Sequence, residues 1–358
     1  MGKIPRALRL FFSLISFFIG LVLLLAGGLA GTALYYNAPP QEAPLSGGDF
    51  AGAKREDGGT VLFEVREGES AYGVGQRLEQ AGLIKNRYFW NILCRIKKDF
   101  LKTGTYRLTF PASQTEIRSV LVEGKQLLLR VTIPEGVTLK KAAAVIGQSG
   151  ICTAEDFLAA AADKAIISAY RIPGQTMEGY LYPETYFFPG SFPAERVVKT
   201  MADTFFEKLR ELAPESAGFT PRELNDIVIL ASIVEREYRV EDEAPLMAGV
   251  FRNRMKINMA MESCATVEYI ITEIQGKPHP HVLYFEDIAI QHPYNTYVNP
   301  GLPPGPISFP GRTALDAALH PAQTDYLFFR LVDESAGRHY FSKTLDAHIR
   351  AGALFVKG

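Results

Sequence analysis

An uncharged run near the N-terminus constrains this chain more than any other feature of its sequence. Between Leu10 and Tyr36 no residue carries a charge. A helix rises 1.5 Å per residue, so roughly 25 apolar residues are enough to cross the hydrocarbon core of a bilayer. The sequence therefore predicts a single N-terminal transmembrane helix that anchors an otherwise globular chain.

Basic residues flank this run on one side only. Lys3, Arg6 and Arg9 precede it, and the next basic residue is Lys54. Because positive charge is retained on the cytoplasmic side, we expect the N-terminus in the cytoplasm and everything after Tyr36 outside. A cleaved signal peptide is the alternative, but its apolar core usually has only about 7–15 residues. An uncleaved anchor is therefore favoured.

The composition of the rest of the chain excludes several functions. The net charge is −1, so there is no basic excess to bind nucleic acid. Cys94, Cys152 and Cys264 are scattered without a CxxC spacing, which predicts small buried residues and neither a disulfide framework nor a zinc site. The six histidines show no compact ligand spacing either, so we expect no metal and no cofactor.

The chain after the anchor is organised as a linker followed by small strand and helix units. Segment 37–60 is rich in Pro, Gly and charge, which is typical of a flexible linker. Beyond it a strand, a Glu-Gly turn and an amphipathic helix occur twice, and the second copy lies 68 residues after the first. The matching residues are Gly68 with Gly136, Gly82 with Gly150, and the candidate N-caps Ser70 with Thr138. This pattern predicts an α+β fold, although such units are common in mixed proteins.

The segment FTPRELNDIVILASIVEREYR predicts a helix with a clear beginning. Thr220 is the expected N-cap, Pro221 the first helical residue, and Glu223 the partner that completes a capping box. Glu235 lies four residues after Ala231, so it falls on the apolar stripe that should face the core. The helix therefore directs a carboxylate toward the protein interior.

This position should raise the pKa of the Glu235 carboxyl. Burial and the negative end of the helix dipole both disfavour the anion, which suits a general acid near neutral pH. A buried Glu satisfied by an Arg or by the backbone remains an equal alternative. Glu237 lies about 200° around the helix, so we expect it in solvent or in a salt bridge. The acidic run 241–243 is expected on the surface.

A second informative segment is the loop HPYNTYVNPGLPPGPISFPG. Its prolines and glycines deny it regular structure, and it carries Tyr294, Asn295 and Thr296. Aromatic faces and amide groups on a rigid loop suit carbohydrate. A purely structural Pro-rich crossover is the alternative.

Together these segments resemble the endolytic murein transglycosylase family (MltG, YceG-like). The segments that carry the resemblance are ASIVEREY, EGYLYPETY, RNRMKINMAMESCATVEY, YNTYVNPGLPPGPISFPG, HPAQTDYLFF and HYFSKTLDAH. The resemblance implies a cytoplasmic tip and anchor at 1–36, the linker at 37–60, a LysM-like module at 61–126 and a larger mixed catalytic domain at 127–358. It also implies a single-pass protein of the bacterial inner membrane.

The activity that the resemblance implies is a lytic transglycosylase of nascent peptidoglycan. It would cleave between N-acetylmuramic acid and N-acetylglucosamine and leave 1,6-anhydro ends, with Glu235 of the ASIVE motif as catalytic acid and base. Tyr294, Asn295, Thr296 and Glu178 are carried over as cleft residues that contact the substrate. Membrane-bound cell-wall synthases are the implied partners.

The chain departs from the family pattern at one motif. Where the family usually reads Gln, Ser or Thr, and Asp, this chain has Glu262, Ser263 and Cys264. Loss of the Asp removes a charge and two acceptors, which argues against a catalytic role at this position. Glu262 and Ser263 are expected near the cleft as sugar contacts, Glu262 alternatively as a second carboxylate.

Two other functions stay open from the sequence. A muramidase that uses water would leave reducing ends, and it normally needs a second carboxylate at a fixed separation. A scaffold that binds peptidoglycan without cutting it has no reason to keep Glu235 on an apolar stripe. The products of digestion separate these alternatives.

Overall fold

The computed structural model describes residues 6–41, 53–56, 59–97 and 100–355. The chain divides into two compact units, an N-terminal unit, Met1–Leu128, and a C-terminal unit, Leu129–Gly358. Both mix helices with strands, which confirms the predicted α+β class.

The N-terminal unit contains the apolar helix and a small three-stranded module. Its elements are α1 (Arg6–Asn37), β1 (Ala53–Glu56), β2 (Thr60–Val65), α2 (Ala71–Gln80), α3 (Arg87–Lys97), β3 (Gly104–Thr109) and α4 (Gln114–Glu123). Within α1, the 25 residues Ser13–Asn37 are long and apolar enough to cross a membrane, and none of their most apolar stretch is buried by the described residues.

The sheet of this unit has the order β1-β2-β3, and both pairings are antiparallel. Alternate residues of β2 are buried, including Phe63, and pack with Trp90 of α3. Trp90 is fully buried, and its indole N–H donates to the carbonyl of Ala71 at 2.9 Å. Strand β1 lies inside the segment 37–60 that we expected to be a flexible linker. The rest of that expectation falls largely outside the described residues.

The C-terminal unit is mostly helical and holds two small sheets, β4-β5 and the antiparallel β6-β7. Its helices are α5 (Leu139–Ser149), α6 (Ala154–Ala161), α7 (Lys164–Ala169), α8 (Ala194–Leu212), α9 (Pro221–Glu237), α10 (Ala244–Lys256), α11 (Cys264–Tyr269), α12 (Phe285–Ile288), α13 (Arg312–Leu319) and α14 (Leu345–Phe355). Its strands are β4 (Leu128–Thr132), β5 (Thr185–Pro189), β6 (Phe328–Asp333) and β7 (Arg338–Ser342). Helix α9 contributes an unbroken buried run, Val228–Val234, to the core.

The repeat seen in the sequence has a structural basis. Gly68 and Gly136 both adopt a φ of 70°, which disfavours any side chain at these turns. The hydroxyls of Ser70 and Thr138 cap α2 and α5 as expected. The two strand, turn and helix units are therefore built alike, one in each compact unit.

Candidate active site

Helix α9 begins as its sequence predicts. The side chain of Thr220 accepts from the N–H of Glu223, and the Glu223 carboxylate accepts from the N–H of Thr220 at 2.8 Å. The capping box fixes where the helix starts, and its last turn then places Glu235 beside the loop that precedes α13.

Glu235 is half-buried, and one backbone group orients it. The N–H of Gly311 donates to Oε2 of Glu235 at 2.9 Å, and Gly136 lies close enough that a side chain there would touch the Glu235 stem. Burial raises the pKa of Glu235 to about 7, against the Gly311 hydrogen bond, which lowers it. The predicted direction of the pKa shift is confirmed. The other reading, a purely structural buried Glu, required an Arg or a backbone partner, and Gly311 is such a backbone partner.

A second carboxylate lies at this place and was not predicted from the sequence. Glu135, in the turn between β4 and α5, lies against Gly311, and a Cβ on Gly311 would overlap the Glu135 carboxylate. The negative charge of Glu135 raises the pKa of Glu235 further. Two acids thus lie against one glycine. The signal available in the sequence was the repeated Glu-Gly turn, which says nothing about a contact with Gly311.

An open groove of about 700 Å³ starts directly after Gly311. Arg312, Thr313 and Asp316 of α13 line one part of it, and Glu241 lines another. The groove is mostly polar, and neither Glu235 nor Glu135 is among the residues that line it.

Glu237 was expected in solvent or in a salt bridge, and that expectation is wrong. Its carboxylate accepts a hydrogen bond from the hydroxyl of Ser263, and burial raises its pKa to about 7. This hydrogen bond joins the last residue of α9 to Ser263, the residue that precedes α11.

Ser263, Glu262 and Thr296, predicted as sugar contacts, are brought together by the structure. The N–H of Ser263 donates to the Thr296 hydroxyl at 3.0 Å, and the N–H of Glu262 donates to the Thr296 carbonyl at 3.1 Å. Ser263 and Thr296 are buried and bonded to protein, whereas Glu262 is exposed and pairs with Arg254 at 3.0 Å. Of the three, only Glu262 offers a side chain to a ligand, and a sugar contact remains a prediction for each.

Asn295 has a structural role that its sequence did not reveal. It is fully buried, and its amide nitrogen donates to the carbonyls of Ile288 and Ile290 at 2.9 and 2.8 Å. Its side-chain oxygen accepts from the N–H of Tyr297 at 2.9 Å. All of its polar atoms are therefore engaged in holding the loop, which argues against the predicted contact with sugar.

Glu178, which is buried, and Tyr294, which is half-buried, both lie near Tyr269. Both oxygens of Glu178 accept from the N–H of Leu139, at 2.9 and 3.1 Å, which places the carboxyl at the N-terminus of α5. Burial raises the pKa of Glu178 to about 8. The ring of Tyr294 lies 5.2 Å from that of Tyr269, whose hydroxyl bonds Glu178. Tyr269 thus links these two predicted cleft residues, and their substrate contact stays a prediction.

Two further expectations are corrected. Cys264 is exposed, and its Sγ lies 3.1 Å from the hydroxyl of Tyr297, so it is not a buried apolar residue. Glu243, expected on the surface, is buried and accepts from the backbone and ring of His339. Within the part of the chain that the structure describes, no three His, Cys, Asp or Glu side chains are grouped to hold a metal ion.

The fold and site define a class, an α+β protein with one N-terminal helix fit for a membrane anchor and an acidic site at the end of a core helix. The profile of the YceG-like family matches residues 63–353, and the chain belongs to this family. The resemblance seen in the sequence is confirmed.

Named relatives and a solved structure agree with this assignment. The endolytic murein transglycosylase of Streptococcus pneumoniae D39 is 30% identical over 96% of this chain, which spans 65% of that relative's length. The protein of the same name from Bacillus subtilis is 28% identical, over 83% of this chain and 85% of its own. A crystal structure of a YceG-like protein from Listeria monocytogenes is 30% identical with a TM-score of 0.55, over 81% of this chain and 98% of that one.

Proposed function

We propose that the chain is an endolytic lytic transglycosylase that cuts peptidoglycan between N-acetylmuramic acid and N-acetylglucosamine. The observation that carries the proposal is the Glu235 carboxyl, half-buried, oriented by the N–H of Gly311 and with a pKa raised to about 7. A carboxyl with this pKa exists in both protonation states near neutral pH, as a group that gives and then takes a proton must. Membership of the YceG-like family, with relatives named for this activity, supports it.

One carboxyl is enough for this reaction. Protonated Glu235 donates its proton to the glycosidic oxygen, and the bond from that oxygen to C1 of the muramoyl residue breaks. The Glu235 anion then takes the proton of the C6 hydroxyl, whose oxygen attacks C1 and closes the 1,6-anhydro ring. No water is consumed, and Glu235 ends the cycle protonated.

Glu135 has a place in the same proposal. Its negative charge disfavours the Glu235 anion, so it keeps the acid protonated before cleavage and favours recovery of the proton afterwards.

The presence of Glu135 is also the one observation that favours a second candidate reaction, hydrolysis. A hydrolase normally needs a second carboxylate to activate water or to act as nucleophile. Glu135 would be that group, and the ends of the products decide between the two reactions.

The placement of the chain in the cell is part of the proposal. We infer that α1 spans the bacterial inner membrane once, with the N-terminus in the cytoplasm, because Lys3, Arg6 and Arg9 precede its uncharged stretch. The C-terminal unit then acts outside on nascent strands, the LysM-like module 61–126 binds glycan, and membrane-bound synthases are the partners.

The test is digestion of purified peptidoglycan by the full chain in detergent, with products identified by mass. Glu235→Gln is compared with Asp226→Asn, which changes an exposed acid on the same helix to its amide. Anhydro ends from the wild type and Asp226→Asn, and none from Glu235→Gln, support the proposal. Reducing ends would establish the hydrolase, and glycan binding without cleavage by any form would establish a scaffold.

A further inference from the structure

The end of the membrane-anchor helix is fastened to the small module of the N-terminal unit. Oδ1 of Asn37 accepts from the N–H and the hydroxyl of Thr115, at 3.0 and 2.8 Å. The side-chain amide of Gln114, itself buried, donates to the carbonyl of Tyr36 at 3.0 Å. The last turn of α1 and the first turn of α4 are thus joined directly, although 78 residues separate their partners.

Contacts around α3 reinforce this junction. The ammonium of Lys85, just before α3, donates to the carbonyl of Tyr35 at 3.2 Å and lies 4.6 Å from the centre of the Tyr35 ring. The ring of Phe89, in the first turn of α3, lies 6.2 Å from that of Tyr36. Tyr35 and Tyr36 end the apolar segment, where aromatic residues mark a membrane surface. Helix α3 therefore starts beside the point where α1 leaves the bilayer.

One face of α3 is apolar and exposed among the residues that the structure describes. Tyr88, Ile92 and Ile96 are 58, 52 and 71% exposed, and their spacing of four residues places them in one stripe. Trp90 and Cys94 point the other way, into the core. From Tyr88 to Ile96 the stripe is about 12 Å long at 1.5 Å per residue.

The charges on α3 suit an anionic surface. The helix, RYFWNILCRIK, contains Arg87, Arg95 and Lys97 and no acidic residue. Arg95 and Lys97 are exposed. A helix with an apolar face and basic flanks lies in the interface plane of a membrane, with its apolar side chains at the boundary between headgroups and acyl chains. Basic residues beside such a face attract anionic phospholipids.

We propose that α3 lies on the surface of the same bilayer that α1 crosses, with Tyr88, Ile92 and Ile96 in its interfacial layer. Arg95 and Lys97 then contact anionic phospholipid headgroups. The junction with α1 selects the bilayer as the occupant, because it holds the start of α3, where this stripe begins, beside the end of the anchor helix. The small module is accordingly a platform seated on the membrane and not a domain at the end of a free tether. This inference rests on the proposed membrane span of α1 and not on the proposed enzymatic activity.

The test uses the full chain in proteoliposomes of phosphatidylglycerol and phosphatidylcholine at a low protein-to-lipid ratio. Cys94→Ala, Cys152→Ser and Cys264→Ser supply a background without thiols, and Ile92→Cys then carries an environment-sensitive fluorophore. The matched control is Glu67→Cys, at an exposed site in the turn after β2. Folding of each variant is checked by the emission of Trp90 for the small module and by circular dichroism for the whole chain.

Quenching by lipids that carry a nitroxide near the headgroup should be several-fold stronger at position 92 than at position 67, with a blue-shifted emission at 92. Changing Arg95 and Lys97 together to Glu should reduce quenching at 92 and leave position 67 unchanged. Equal quenching at 92 and 67 would overturn the proposal. A blue shift at 92 without lipid quenching, which grows with protein concentration, would overturn it in favour of a second copy of the chain.

Discussion

The backbone N–H of Gly311 donates to Oε2 of Glu235 at 2.9 Å, across 76 residues of sequence. The bond lets a core helix and a Pro-rich loop position one carboxyl jointly. Because the donor is a backbone group, its position depends on the path of the loop rather than on a rotamer.

Glu235→Gln is expected to reduce cleavage of peptidoglycan on the order of 10²–10⁴-fold, the usual contribution of a general acid and base. The amide oxygen can still accept from Gly311, so stability should hardly change. Product formation over time and thermal unfolding of the same sample measure the two effects. A variant that cuts as fast as the wild type would remove Glu235 from the reaction.

The rate should depend on pH through the pKa of Glu235, about 7. Cleavage starts from the protonated acid, so the rate falls as pH rises through this value. Glu135→Gln removes a negative neighbour and lowers the pKa of Glu235, which moves this fall to lower pH. The measurement is the initial rate from pH 5 to 9, with Glu155→Gln, an exposed acid of α6, as control. An unshifted profile in Glu135→Gln would contradict the role given to Glu135.

Ser232→Ala should destabilise the C-terminal unit. The buried hydroxyl of Ser232 accepts from the N–H of Ile307 at 3.0 Å and so ties the Pro-rich loop to α9. Removing it leaves a buried donor unpaired, which costs about 1–3 kcal/mol. Urea unfolding followed by circular dichroism gives the free energy. Ser168→Ala, at an exposed position of α7, should cost much less, and equal costs would contradict the argument.

Gly179→Ala should destabilise the protein more than the addition of one methyl group suggests. Gly179 has a φ of 81°, and a Cβ there would overlap Pro306 and lie 3.0 Å from Cγ1 of Val228. The left-handed backbone alone costs about 1–2 kcal/mol for an L-residue, and the overlap adds to it. Gly218→Ala is the control, because nothing lies within 4 Å of its Cβ position. Similar melting temperatures for the two variants would refute this reading of the glycine.

The sequence predicted the features that depend on residues close together in the same helix or strand. The start of α9 at Thr220, the caps at Ser70 and Thr138 and the raised pKa of Glu235 all follow from spacing and burial along one element. The α+β class and the N-terminal apolar helix follow in the same way.

What the sequence could not decide were partners brought in from elsewhere in the fold. Glu135 meets Gly311 only because the turn after β4 packs on the loop before α13. Asn295 was expected to bind sugar because an exposed amide would, but its amide is used up by Ile288 and Ile290. The sequence of a loop does not show whether a polar side chain binds a ligand or another part of the same chain.

The burial of Trp90 in the N-terminal unit has a practical consequence. It is the only tryptophan of the chain, and the core that surrounds it belongs to the small module. Intrinsic tryptophan fluorescence therefore reports the unfolding of that module alone. The C-terminal unit is silent at those wavelengths, so a transition seen by circular dichroism and not by tryptophan emission belongs to the unit that contains Glu235.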